Sequence, residues 1–244
     1  MGAPFFRFKQ FTVWHDQCAM KVGTDGVLLG AWCPLPSRAN ECVRVLDIGT
    51  GSGLIALMIA QRLYVNHQDF SVIGIDIDAE AAQQSRINFE RSPWSKHLQS
   101  EGCGLQNFNK DNTFDLIVSN PPYFQNSLKN PNNARATARH TDNLSYKELI
   151  FHASQMLTEH GILALVLPAE AEKEIITLGT EHHLQHTHIN YVHPKPGKEV
   201  KRILIAFTKN KDTLFEPFST HFYIESNDSP RSDEYKAMTK EFYL

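Results

Sequence analysis

Apolar residues in this chain gather in short unbroken runs, separated by longer stretches in which they return every three or four positions. The runs Arg44 to Ile48, Ser71 to Asp76, Phe114 to Ser119 and Gly161 to Leu167 have the form of strands buried on both faces. Between them, Leu54 to Leu63, Ala79 to Arg91 and Tyr146 to Leu157 carry the helical period. Strand and helix in alternation predict an α/β, doubly wound fold whose parallel sheet is covered on both sides. A third strand near Leu98 is only weakly marked. Asp78 is expected to cap the helix that begins at Ala79, and Ser145 with Glu148 forms a capping box, with Gly161 beyond that helix's end. After Pro168 the pattern predicts a helix from Ala169 to about Leu178 and strands at Leu184 to Val192 and Arg202 to Thr208. At the other end, a β-rich stretch from Phe5 to Val13 and a short helix from Thr24 to Trp32 precede a loop at Pro34, Pro36 and Ser37. The chain therefore reads as a cap segment, residues 1–40, on a main body, residues 41–244, forming one compact domain.

Composition changes this picture little. The 244 residues are 41% hydrophobic, enough for a substantial core without disulfides or metals. The four cysteines, Cys18, Cys33, Cys42 and Cys103, form no C-x-x-C pair, and no apolar run is long enough to span a bilayer. With no signal-like N-terminus, the expectation is a reduced, cytoplasmic protein without a membrane partner and with no obligate protein partner evident. The net charge of −3 gives no global hint of nucleic acid, so any such contact has to come from a local basic patch.

Chemistry concentrates at the ends of the predicted strands. Asp47, Gly49, Gly51 and Gly53 join the first core strand to an apolar helix, where glycines let a ligand approach the backbone and helix N–H groups face it. The spacing fails the dinucleotide fingerprint G-x-G-x-x-G when counted from Gly49, and the phosphate-loop lysine is absent. An acid two residues before the first glycine suits a ligand carrying ammonium and sulfonium groups. Asp76, at the end of the next strand, is placed to accept hydrogen bonds from ribose hydroxyls. Asn120, Pro121, Pro122 and Tyr123 close the strand Phe114 to Ser119. Two prolines stop the strand and fix its last side chain, leaving an amide oxygen and a backbone carbonyl as acceptors for one planar NH2 group, beside an aromatic face. Taken alone, the same tetrapeptide also suits a plain strand-ending turn.

Together, Asp47 to Gly53, Asp76 and the Asn-Pro-Pro-Tyr turn resemble class I S-adenosylmethionine-dependent methyltransferases of the amino-methylating type. The run from Cys18 to Trp32, the Ser92-Pro93-Trp94 triplet and the closing Glu241-Phe242-Tyr243-Leu244 resemble the bacterial tRNA1(Val) (adenine-N6)-methyltransferases. This resemblance implies a mostly parallel seven-stranded Rossmann-like sheet with a terminal antiparallel hairpin. It also implies S-adenosyl-L-methionine as cofactor and the exocyclic N6 of a tRNA adenosine just 3′ of the anticodon as substrate. Lys21, Gly23 and Thr24 are then expected at the methionine end of the cofactor, with Asp47, Gly49, Gly51, Gly53, Asp76 and Asn120 completing its site. One departure stands out: Gly104 occupies the position where an acid usually binds the cofactor adenine, leaving Glu101 or a backbone carbonyl to substitute.

The polar stretch from Phe124 to Asn143 is too long for a routine connection, and its Arg135, Arg139 and His140 are expected to contact substrate phosphates. Lys195 and Lys198, in the basic turn from His193 to Lys198, extend that track or serve as an ordinary charged hairpin. His182, His183, His186 and His188 straddle a helix-to-strand junction without an acidic or thiolate partner in register, so no metal is expected. Other readings are a methyltransferase for another planar amine, such as guanine N2, DNA adenine or protein glutamine, and a noncatalytic nucleoside-cofactor module. A nicotinamide dehydrogenase is the least favoured.

Overall fold

The computed structural model describes residues 3–18, 20–36, 41–108, 113–122, 144–209 and 216–244. Strands β1 (Phe5–Arg7) and β2 (Thr12–Trp14) pair antiparallel as a separate ribbon. The central sheet holds β3 (Val43–Ile48), β4 (Phe70–Asp76), β5 (Leu98–Gly102), β6 (Phe114–Ser119), β7 (Leu157–Pro168), β8 (Gln185–His193), β9 (Arg202–Thr208) and β10 (Phe218–Tyr223). Its order is β10-β8-β9-β7-β6-β3-β4-β5. β9 alone runs antiparallel to its neighbours, β7 and β8. All seven others point the same way, so their C-terminal ends share one edge.

Alternate residues of the same strands enter two separate cores, which is why the strands read as continuous apolar runs. Val43, Val45, Leu116, Val118, Ala164 and Val166 pack with α1 (Thr24–Trp32) and α2 (Leu54–Val65). Leu46, Ile48, Ile117, Leu163, Leu165 and Leu167 pack instead with α4 (Tyr146–Met156) and α5 (Glu172–Glu181). Helix α3 (Ala79–Glu90) lies along β5 and contributes Phe89 to the first core. No helix among the described residues is long and apolar enough to cross a membrane.

The predicted elements are present with small shifts of boundary. Asp78 accepts from Glu80 N–H at 2.9 Å, and the Ser145–Glu148 capping box is complete. Gly161, however, does not end a helix: α4 stops at Met156, and Leu157 is already extended at φ −72°, ψ 139° as β7 begins. The sheet has eight strands where the resemblance implied seven, because β10 adds to β8 at the edge. Its mostly exposed sequence, Phe-Ser-Thr-His-Phe-Tyr, lacks the buried run that marks the others. A short helix, α6 (Asp233–Thr239), was likewise not anticipated; Ser232 caps it by accepting from Tyr235 N–H at 2.9 Å.

The two chain ends close on each other. Lys9 N–H donates to the Phe242 carbonyl at 2.8 Å, Gln61 Nε2 donates to the Glu241 carbonyl at 2.9 Å, and Phe8 stacks on Tyr243. Helix α1 lies against α2 because Gly30 presents no side chain there; a Cβ would stand 2.8 Å from Met58 Sδ and 2.9 Å from Met58 Cβ. This contact sets the height of α1 above the sheet edge. Gly30→Val should overpack it, costing about 1–3 kcal/mol and lowering the melting midpoint by roughly 2–10 °C. An unchanged midpoint in a calorimetric scan would show that α1 is not held by this approach.

Candidate active site

The loop between β3 and α2 is shaped by two carboxylates. Asp47 lies wholly beneath it, where its Oδ2 accepts from Thr50 Oγ1 at 2.8 Å and from Ala56 N–H at 3.2 Å. Asp76 approaches from the tip of β4: its Oδ2 accepts from Gly51 N–H at 2.8 Å and its Oδ1 from Asp78 N–H at 3.0 Å. The N–H groups of Gly49 and Thr50 both donate to the Ile75 carbonyl at 2.9 Å, which ties the loop to the same strand end. Gly49 and Gly51 adopt φ of +69° and +54°, and a Cβ on either would meet nothing within 4 Å. They offer a bare, left-handed backbone to a ligand.

One strand over, Ser119 Oγ donates to the Ile48 carbonyl at 2.8 Å and locks the end of β6 to the end of β3. Asn120, Pro121 and Pro122 follow at once, and their chain direction is set by that lock and by the two fixed proline φ angles. A cavity of about 540 Å³ runs along this edge. Lys21, Gly23 and Thr24 line it from the α1 side, Gly49 and Gly51 from the loop, and Asp76, Asn120, Pro121 and Pro122 from the strand ends. A nucleoside cofactor fits these groups: the Asp76 carboxylate, which accepts from the backbone of Gly51, Ile77 and Asp78, still has lone-pair capacity that a ribose diol can use.

Two expected ligands are corrected. Asp47 is fully buried and does not line the cavity, because β3 turns its side chain toward the start of α2. Gly53 does not line it either; at φ +79° it faces α3, where a Cβ would come within 2.5 Å of the Phe89 ring. Neither Thr24 nor Asp25 caps α1, whose N-cap Gly23 has no side-chain bond. Asp25 instead lines the cavity and accepts from Arg202 Nε at 3.0 Å, which anchors α1 to β9. Lys195 and Lys198 lie exposed in the β8–β9 loop, away from the cavity but on the same edge of the sheet. Tyr123, Arg135, Arg139 and His140 lie outside the described residues. Among those described, no group of histidines, cysteines and acids is arranged to hold a metal.

Gln106 is a cavity-lining residue that sequence reasoning did not single out. Glu101 is exposed on β5 and does not line the cavity, whereas Gln106 does, beside Gly104. Gln106 Nε2 faces Glu148 Oε1 at 3.5 Å. The Ser145 N–H and hydroxyl hold Glu148 below the usual carboxylate range, so Glu148 stays an acceptor and orients the amide NH2 toward itself. The Gln106 carbonyl oxygen then turns toward Gly104, where a Cβ would stand only 3.2 Å from it. The missing side chain at 104 and the amide at 106 share one space, a signal visible only in three dimensions.

Residues 34–190 match the family model described as the methyltransferase small domain. A tRNA1(Val) (adenine(37)-N6)-methyltransferase of Phocaeicola vulgatus is 45% identical, covering 100% of this chain and 99% of its own. A relative of the same name in Bacteroides fragilis is 47% identical with the same coverage. Among solved structures, a predicted O-methyltransferase of Agrobacterium tumefaciens superposes with a TM-score of 0.62 at 18% identity. That match covers 89% of this chain and 96% of the other, and places the sheet among Rossmann-like methyltransferase folds.

Burial pushes the Asp47 carboxyl up to about 7, against the bonds from Thr50 and Ala56 that favour its charge. A raised acid favours its protonated form in the folded chain. Its contribution to stability is therefore complete below the ordinary value of 3.8 and is lost as pH rises through about 7. Asp47→Asn keeps an acceptor for both bonds and removes the titration. Thermal melts of the ligand-free protein should show the variant gaining on the wild type as pH climbs from 5 to 8; parallel profiles would contradict this.

Proposed function

The chain belongs to the tRNA1(Val) (adenine(37)-N6)-methyltransferase family, and from that premise we propose that it methylates N6 of the adenosine just 3′ of the anticodon in tRNA1(Val). The observation that carries this reading is the sharing of one cavity by the Asp76 carboxylate and the Asn120-Pro121-Pro122 turn. When bound, S-adenosylmethionine supplies a methyl group already activated on a sulfonium. The chain's task is to hold that donor and to prepare a weak nucleophile, because the N6 lone pair is delocalised into the purine ring.

Asp76 accepts the ribose hydroxyls, Gly49 and Gly51 let the backbone come close, and Lys21, Gly23 and Thr24 lie at the methionine end. The Gln106 carbonyl takes the place of the missing acid at 104 as acceptor for the cofactor's adenine amino group. Asn120 Oδ1 and the Pro121 carbonyl accept the two hydrogens of the substrate N6 and direct its lone pair at the methyl carbon. Both contacts strengthen as nitrogen gains positive charge, so they favour the transition state over the ground state. The alkylated nitrogen is acidic and releases its extra proton to water. Tyr123 stacks on the substrate base, which is extruded at lower cost from an anticodon loop than from a duplex. Arg135, Arg139, His140, Lys195 and Lys198 contact phosphates around it.

Mass spectrometry of nucleosides from tRNA incubated with the protein and isotope-labelled cofactor should reveal labelled N6-methyladenosine. Label on another atom, or none, would overturn the reading. Asn120→Ala should lower kcat on the order of 100-fold and leave cofactor affinity within a few-fold. A folded variant working at the wild-type rate would exclude the acceptor mechanism.

A further inference from the structure

Outside the cavity, the densest unassigned chemistry lies where β10 meets β8. On one face of this strand pair, four rings form a two-by-two array. Tyr191 stacks on His221 across the strands with centroids 5.2 Å apart, and His193 stacks on Tyr223 at 4.7 Å. The diagonal pair is bonded: His193 Nε2 lies 2.8 Å from His221 Nδ1. The tautomers follow from one neighbour. His193 Nδ1 lies 2.8 Å from the Lys198 carbonyl, which can only accept, so that nitrogen carries the proton. In the neutral ring Nε2 is then an acceptor, and His221 Nδ1 must donate to it. The chain of bonds fixes both imidazoles and ties the basic β8–β9 loop to the array. Ile224 N–H to the His193 carbonyl at 3.0 Å and Glu225 N–H to the Pro194 carbonyl at 2.9 Å reinforce that tie.

Strand spacing is close to the ring spacing, so these rings stand across the sheet with one face of each β10 ring covered by its β8 partner. Among the described residues β10 pairs with no strand but β8; Glu234 and Ser232 bond the Tyr223 backbone at its outer edge, but their helix packs on the opposite face, where Tyr235 meets Phe222, so the second faces of His221 and Tyr223 are directed off the sheet edge. Flat partners can continue both stacks there, at positions about 6.6 Å apart along the strand. The flanking loop adds the exposed cations Lys195, Lys198 and Lys201 against Glu199, and Glu225 and Asp228 share a surface pocket with Lys195. Aromatic rings on a sheet beside lysines are suited to unpaired bases and their phosphates. β8 and β10 end on the same edge as β6, three and four strands away, or roughly 14–19 Å. That is the reach of a few nucleotides from the one in the cavity.

We propose that the Tyr191–His221 and His193–Tyr223 stacks, with Lys195, Lys198 and Lys201, form a second docking site for the tRNA, on which unpaired bases next to the methylated adenosine stack. The inference rests on the tRNA reading above. The competing account is structural: the rings only fasten an edge strand. The opposite face of the same strand pair supplies the control, since Phe218 stacks on His188 there at 4.0 Å, beside Trp32.

The probe is a fluorescein-labelled anticodon stem-loop of tRNA1(Val), titrated by anisotropy at several salt concentrations. Tyr223→Ala should weaken its binding about tenfold or more, while Tyr223→Phe should stay within about threefold. Affinity for S-adenosylhomocysteine should not change. The slope of log affinity against log salt should persist in Tyr223→Ala and flatten when Lys195 and Lys198 both become Ala. Phe218→Ala, which loses an equivalent stack on the other face, should bind the stem-loop as the wild type does. If Tyr223→Ala melts below the assay temperature, His221→Ala, whose side chain is exposed, carries the test with the same expected direction. Unaltered RNA affinity in the ring variants, or an equal loss in Phe218→Ala, would overturn the docking site and leave the methyltransferase reading standing. A wild-type protein that failed to bind the stem-loop would overturn the tRNA reading and the docking site together.

Discussion

The catalytic edge is organised by strand-end groups that satisfy one another, among them the Gly51 N–H and the Asp76 carboxylate. Parallel strands end together, and their last residues carry backbone and side-chain groups that no further sheet can satisfy. Here those groups are satisfied by one another. Asp76 grips the glycine loop, the loop donates back to Ile75, and Ser119 pins β6 to Ile48. These bonds are all made within the chain, and they leave Asn120 and Asp76 lining one cavity. Such preorganisation is what a reaction limited by alignment of a poor nucleophile requires.

Burial divides the two acids of this edge into different roles. Asp76 borders the cavity. Asp47, three residues before Thr50, is sealed under the loop and acts as an internal brace for Thr50 and Ala56. The acidic residue in front of the glycines read as a ligand because spacing reports distance along the chain and not the side to which a strand turns its side chain. Gly53 misled for a similar reason: the glycine is required by its left-handed φ and by the Phe89 ring, and the space it leaves faces the core.

Most of the fold was legible because long apolar runs and capped helices are local signals. The Ser145–Glu148 box and the Asp78 cap are contacts between residues two or three apart, so sequence carries them whole. That Asp76, Asn120 and the prolines stand at strand ends was equally readable, since a strand's end and a proline's φ are local facts, and the structure places all four on one cavity. What was missed depends on partners far away in the chain. β10 pairs with β8, whose partner residues lie about thirty positions earlier, and shows no apolar run of its own. Gln106 gains its orientation from Glu148, forty-two positions on. Arg202 finds Asp25 across 177 positions and thereby sets α1 over the cavity.

The most direct test of the central claim separates the two bonds of Asp76, to the loop and to the ligand. Calorimetric titrations of S-adenosylhomocysteine and of its 2′,3′-dideoxy analogue should be compared in wild type and Asp76→Ala. If Asp76 receives the ribose diol, the substitution weakens the natural nucleoside by tenfold or more, as the loss of charge-assisted bonds of about 1.5–3 kcal/mol requires, and weakens the dideoxy analogue far less. An equal loss for both ligands would mean that Asp76 serves the glycine loop alone and that the cavity recognises its cofactor by other groups.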